Sequence, residues 1–138
     1  MTETKLDVLE LLETVQVFEN KISLALVYSR LRLPQFRAMV FMEKAGKITV
    51  SDLSRQHGIT SATASVLVAS LIQAGIIEKI ANRSDKRSFH IKLTESGLSR
   101  LKLAKTEVGL VEKRLAQNMS EETLIALGNL SRSIRKTN

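Results

Sequence analysis

Apolar residues spaced three and four apart predict helices along most of this chain. The first such run goes from Lys5 to Leu33 as Leu6, Leu9, Leu12 or Val15, Phe18, Ile22, Ala25 or Leu26, and Ser29 or Arg30. Val8, Leu11, Val17 and Leu24 fall outside that stripe, so the helix has two apolar sides, and the simplest cover for the second is another copy of the chain. An ordinary long core helix of a monomer would carry the same spacing. Pro34 disfavours helical geometry at Leu33 and suits the first turn of a second, shorter helix, which runs through Phe36, Met39, Val40 and Met42 to a stop at Gly46.

A third helix can be capped by Thr49 or Ser51, with Asp52 at its positive end, Leu53 facing inward and Gly58 ending it. Ile59 then packs in, Thr60 or Ser61 caps a fourth helix, and Ala64, Leu67, Val68 and Leu71 form its inward stripe up to Gly75. Short helix, tight glycine turn and longer helix make a helix-turn-helix pattern, which other helical hairpins share. Ile76 to Ile80 and Phe89 to Leu93 then alternate as strands around a polar turn, Asn82 to Ser88, giving a β-hairpin wing with a basic tip. Leu98, Leu101, Leu103 or Ala104, Val108, Leu110 or Val111, and Leu115 mark a long helix over Ser96 to Asn118. Ser120-Glu121-Glu122-Thr123 opens a last one through Leu124, Leu127, Leu130 and Ile134.

The expected fold is mainly α with a small β-hairpin wing: a winged helix-turn-helix with long N- and C-terminal helices. One domain would span residues 1–138, with the winged lobe at 34–95 and dimerisation helices at 1–33 and 96–138. The low aromatic content, 4% against 43% hydrophobic, makes the core aliphatic, and a single proline with six glycines favours long helices over a many-turned β architecture.

Charge sharpens this picture. The net charge of +7 points to an acidic partner, for which double-stranded DNA is the leading candidate. The charge is zoned: residues 1–20 hold five acids and one lysine (−4), residues 21–50 six bases and one acid (+5), and residues 78–92 five bases and two acids (+3). No cysteine is present, which excludes disulfides and thiolate metal sites in this chain. With no apolar run near ~20 residues, no membrane partner is expected, and the chain reads as cytoplasmic.

Gly75-Ile76-Ile77-Glu78-Lys79, Asp85-Lys86-Arg87-Ser88 and Leu93-Thr94-Glu95-Ser96-Gly97 together resemble the wing and following helix start of the MarR (multiple antibiotic resistance regulator) family, and the element order is similar over nearly the whole chain. The resemblance implies a homodimeric DNA-binding transcription regulator, usually a repressor on a pseudo-palindromic site and often released by a small ligand. It assigns Arg87 to the minor groove, Asp85 to orienting that arginine, and Thr60 to Ser70 to the major groove.

The chain departs from that pattern at its centre. No residue from Ser61 to Ile77 is charged, and Val66, Ala69 and Ile72 are expected at outward positions where relatives commonly carry charged or amide side chains. Ser61, Thr63 and Ser65 can bond phosphates or base edges, while Ala62 and Val66 can touch thymine methyls. Alternatively, the outward apolar side binds protein, making the chain a winged-helix protein-interaction module or antirepressor-like partner; or Val66 or Ile72 packs on neighbouring elements. Attraction would come from Arg55, Lys79, Arg83, Lys86 and Arg87, with Arg30, Arg32, Arg37, Lys44 and Lys47 as further phosphate contacts.

Catalysis has little to rest on. His57 and His90 lack any metal-ligand spacing, and no glycine-rich phosphate loop occurs, so no enzyme, cofactor or metal is expected. In relatives of the resembled family an effector lies between the dimer helices and the DNA-binding lobe. There this chain offers Phe18, Phe36 and Met39, with Phe41 and Met42, all at spacings that also suit plain core.

Overall fold

A computed structural model describes residues 6–137. Among these, six helices and one two-stranded antiparallel hairpin follow in the order α1 (Val8–Ala25), α2 (Leu33–Ala45), α3 (Val50–His57), α4 (Ser61–Gln73), β1 (Ile77–Ala81), β2 (Phe89–Leu93), α5 (Glu95–Gln117) and α6 (Glu121–Lys136). The mainly α winged arrangement expected from the pattern is therefore the architecture observed. The expected helix start at Lys5 lies outside the described residues.

The first helix is shorter than its apolar spacing predicts. It ends at Ala25, not at Leu33. The chain then turns through Leu26 to Arg30, closed by bonds from Arg30 N–H to Val27 O (3.1 Å) and from Leu31 N–H to Leu26 O (3.3 Å), with Arg30 at φ 55°. This pair of bonds around a left-handed residue is a Schellman ending, with arginine where glycine is usual. The turn persists because it buries Leu26 and Leu31 (0% and 5% exposed), and because the Arg100 guanidinium of α5 donates to the carbonyls of Ser29 (2.9 Å) and Arg30 (3.2 Å). Helical spacing continues through the turn, so the pattern alone could not show the break.

Other boundaries follow from local chemistry. Gln35 accepts from Arg32 N–H at 2.9 Å to start α2, and Gly46 (φ 82°) stops it. Thr49 caps α3 and exchanges bonds with Asp52 in a reciprocal box, 2.9 and 3.1 Å, and Gly58 ends the helix in a left-handed conformation. Thr60, Thr94 and Ser120 cap α4, α5 and α6, each hydroxyl accepting from the N–H three residues on, with no reciprocal bond.

One core joins the lobe. Met39 and Met42 of α2, Leu53 of α3, Val68 and Leu71 of α4, Ile77 and Ile91 of the hairpin, and Leu101 and Ala104 of α5 are all buried in it, with Ile22 and Leu26 closing the α1 side. The hairpin pairs Ile77 with Leu93 through Ala81 with Phe89. Ile48 adds a further rung, exchanging backbone bonds with Ile91 (3.0 and 2.8 Å), which ties the α2–α3 connection to the wing.

The N-terminal and C-terminal helices sit differently. Of the α1 apolar residues only Ile22 is buried, while Leu9, Leu12, Val15, Val17, Phe18 and Leu24 are exposed. Helix α6 has no buried residue and exposes Leu124, Ile125, Leu127 and Ile134.

Candidate nucleic-acid interface

The turn into α4 is built by side chains that bond to backbone. Ser54 Oγ donates to Ile59 O (2.6 Å) and Ile59 N–H returns to Ser54 O (3.1 Å), closing the chain around Gly58. Thr60 Oγ1 accepts from Thr63 N–H (3.1 Å) and donates to Thr63 Oγ1 (2.9 Å), so both hydroxyls are engaged at the helix start. The core takes Ala64, Val68 and Leu71. The opposite face is exposed and consists of Ser61, Ala62, Thr63, Ser65, Val66, Ala69 and Gln73. Ile72, expected outward with Val66 and Ala69, instead packs half-buried against the core. Val66 does the reverse and stands 71% exposed.

From α4 the chain passes Gly75 (φ 73°) directly into the wing. The tip is ordered by its own polar residues: Asn82 Nδ2 donates to Ser88 Oγ (2.9 Å), Asn82 Oδ1 accepts from Ser84 N–H (3.1 Å), and Asp85 Oδ1 accepts from Arg87 N–H (2.9 Å). Asp85 thus holds Arg87 through its backbone; the guanidinium is left outside the tip. Among the described residues Arg83, Lys86 and Arg87 are exposed and have no carboxylate within ion-pair distance. Lys79 lies over the Phe89 ring, 4.5 Å from its centroid. Arg55 is exposed on α3 but pairs with Asp52 at 2.6 Å. Arg37 pairs with Glu19 of α1 at 2.6 Å, which commits it to joining two helices.

The residues expected around an effector differ in burial. Met39 is fully buried in the core, Phe36 packs at the core's edge, and Phe18 is exposed on α1. Two clefts flank α3. One, about 440 Å³, is bordered by Phe41, Lys47, Ile48, Asp52 and Arg55. The other, about 350 Å³, is bordered by Pro34, Arg37, His57, Ile59, Thr63 and Leu67. His57 meets the Phe41 ring edge-on at 6.0 Å, and its Nε2 is buried without a partner. Burial, and then the Arg37 charge, hold its pKa below the ordinary 6.5. Asp52 is held below its ordinary 3.8, first by the Thr49 backbone bond, against a desolvation that raises it, and further by the Thr49 hydroxyl and Arg55. Among the described residues no cluster of His, Cys, Asp or Glu could hold a metal, and no helix is long and apolar enough to cross a membrane.

Two features escape sequence reasoning. The Arg100 clamp on the Ser29–Arg30 carbonyls has no local signal, since its partners lie 71 and 70 residues away. Gln73 at the end of the outward α4 face could have been found by continuing from Ala62, Val66 and Ala69 by one more helical step.

A family model described as the MarR family matches residues 31–88. The HTH-type transcriptional regulator PetP of Rhodobacter capsulatus is 34% identical over 61 residues, 44% of this chain and 37% of PetP, so the match spans little more than a third of that relative. A mutant MarR from E. coli, solved in complex with operator DNA, is similar in fold at TM-score 0.81 and 21% identity, over 91% of each chain. NadR in complex with 4-hydroxyphenylacetate is similar at TM-score 0.78 and 17% identity, over 100% of this chain and 98% of NadR.

Proposed function

We propose that this chain, whose winged lobe at residues 31–88 matches the MarR-family model, is a homodimeric transcriptional repressor which grips a pseudo-palindromic DNA site with two such lobes. The observation that carries the reading is the pairing of an outward, uncharged α4 face with a wing tip whose Arg83, Lys86 and Arg87 have no carboxylate partner among the described residues. Cations left unpaired on an ordered loop are available to phosphates, and a guanidinium suits a narrow minor groove. Helix α4 then lies in the major groove, with Ser61 and Ser65 supplying hydroxyls not bonded within the lobe, and Arg55 and Lys79 at its flanks.

The dimer follows from the helices outside residues 34–95. Exposed Leu9, Leu12 and Val15 on α1, Leu103 and Leu110 on α5, and Leu124 and Leu127 on α6 leave an apolar surface that a second copy would cover. Such a regulator works where the DNA is, in the cytoplasm. Its effector class is an aromatic acid, by analogy with the ligand in the NadR complex. A thermal-shift scan of phenolic acids tests that step, and no rise in melting temperature removes it.

The test of the whole reading is selection of sites from random duplex DNA followed by anisotropy titration across a salt series. Half-sites one helical turn apart, about 10 base pairs, and two chains per duplex by sedimentation are expected. Arg87→Ala should weaken binding to every sequence and lower the salt slope by about 0.9 per lost phosphate contact, so by nearly two for a dimer. Unchanged affinity at low salt would remove the wing from the mechanism. No enriched site at all would favour a winged-helix module that binds protein.

A further inference from the structure

The exposed face of α4 has an unusual chemistry for a helix that meets DNA. Ala62, Val66, Ala69 and Gln73 recur at successive helical steps along it. None of its residues, nor any from Ser61 to Ile77, is charged. The face therefore lacks the guanidinium or ammonium that takes guanine O6 and N7, and lacks the carboxylate that accepts from cytosine N4. The Thr63 hydroxyl is committed to Thr60 at 2.9 Å. Those of Ser61 and Ser65 are free among the described residues but can donate or accept and so do not by themselves choose a base, and Gln73, whose amide suits adenine, stands at the far end of the helix.

What remains at the centre of the face is hydrocarbon. Val66 holds its isopropyl group 71% exposed while the neighbouring Val68 and Leu71 are buried and Ile72 packs on the core. Only one base presents a methyl group in the major groove: thymine, at C5. A guanine or cytosine at the same place would lose water from its polar edge under the isopropyl group and gain no partner.

We infer that Val66 reads a thymine methyl in each half-site and is the main specificity-determining side chain of the lobe. The inference rests on the DNA-binding reading above. Attraction is supplied by the cationic wing, which binds phosphates whatever the sequence, so discrimination falls to this apolar contact.

Uracil provides the test, because replacing one thymine by uracil deletes the methyl and leaves the Watson–Crick edge intact. The full-length protein is titrated against its selected duplex with each thymine replaced in turn. At one thymine per half-site, uracil should weaken binding about fourfold, the worth of one buried methyl, and about fifteenfold when both half-sites are changed. V66A should bind the thymine duplex more weakly and lose the thymine-over-uracil preference; Val66→Thr, which keeps one methyl, should retain part of it. Because Val66 is exposed, both variants should melt like the parent, which circular dichroism checks. Binding that is indifferent to uracil at every position overturns the inference and leaves the DNA-binding reading standing. So does a thymine preference that survives in V66A. Failure to bind any duplex at low salt defeats the DNA-binding reading, and this inference with it.

Discussion

Gly97→Ala offers a test in which elementary helix propensity and tertiary packing predict opposite signs. Gly97 is buried in the first turn of α5, where alanine would ordinarily add about 1 kcal/mol to helix stability. A Cβ at this position would stand 2.1 Å from Ile76 O and 3.0 Å from Ile76 C, whereas ordinary contact begins at 3.4 Å. The helix start must therefore retreat by more than 1 Å from the beginning of the wing (3.4 − 2.1 = 1.3 Å). That retreat disturbs a cluster of bonds: Thr94 N–H to Ile76 O at 2.9 Å, Thr94 Oγ1 to Gly75 O at 2.6 Å, and Gly97 N–H to Thr94 Oγ1 at 3.0 Å. Overpacking costs about 1–3 kcal/mol and a weakened cap about 1 kcal/mol, so after subtracting the propensity gain of about 1 kcal/mol the net loss is about 1–3 kcal/mol. For a chain of this size that corresponds to a melting temperature lower by roughly 3–12 °C. Thermal and urea unfolding followed by far-ultraviolet circular dichroism, at one fixed protein concentration, measures it. Ser96→Ala, at the exposed neighbouring position, is the control and should change stability by less than about 0.5 kcal/mol. A G97A protein as stable as the parent would refute the close-approach argument.

Two further outcomes are expected. Arg100→Ala removes both donors to the Ser29 and Arg30 carbonyls and should cost about 1–2 kcal/mol in urea unfolding, with Arg100→Lys recovering part; a neutral R100A would mean that the left-handed turn stands on Leu26 and Leu31 alone. His57 has a folded pKa below its unfolded value, so its neutral ring favours the fold fully above pH 6.5 and the contribution fades as the pH falls toward the folded value. Stability should therefore decline on acidification below 6.5 less steeply in His57→Gln than in the parent, and parallel pH profiles would show that the buried ring does not titrate with folding.

Much of the candidate site was legible because its signals are local. Thr49 with Asp52, Thr60 before Ala64, and Thr94 before Gly97 place helix starts through bonds that span three residues. The Leu93-Thr94-Glu95-Ser96-Gly97 run also has a physical meaning that its spacing conceals: Thr94 caps α5 and reaches back to Gly75, and Gly97 leaves room for the Ile76 carbonyl.

Periodicity, capping residues and charge zoning by themselves determined the helix order, the hairpin and its basic tip, since each depends on neighbours a few positions apart. Tertiary contacts decided where helical spacing stops being a helix, at Ala25, because the Leu26–Leu31 turn is held by Arg100 from a distant helix. They also decided which of two similar apolar residues faces outward: Ile72 lies against the core and Val66 does not, a difference set by how α4 is rotated on the lobe. Spacing alone leaves that rotation open by one helical position, and on this chain that one position separates a core residue from the centre of the exposed face.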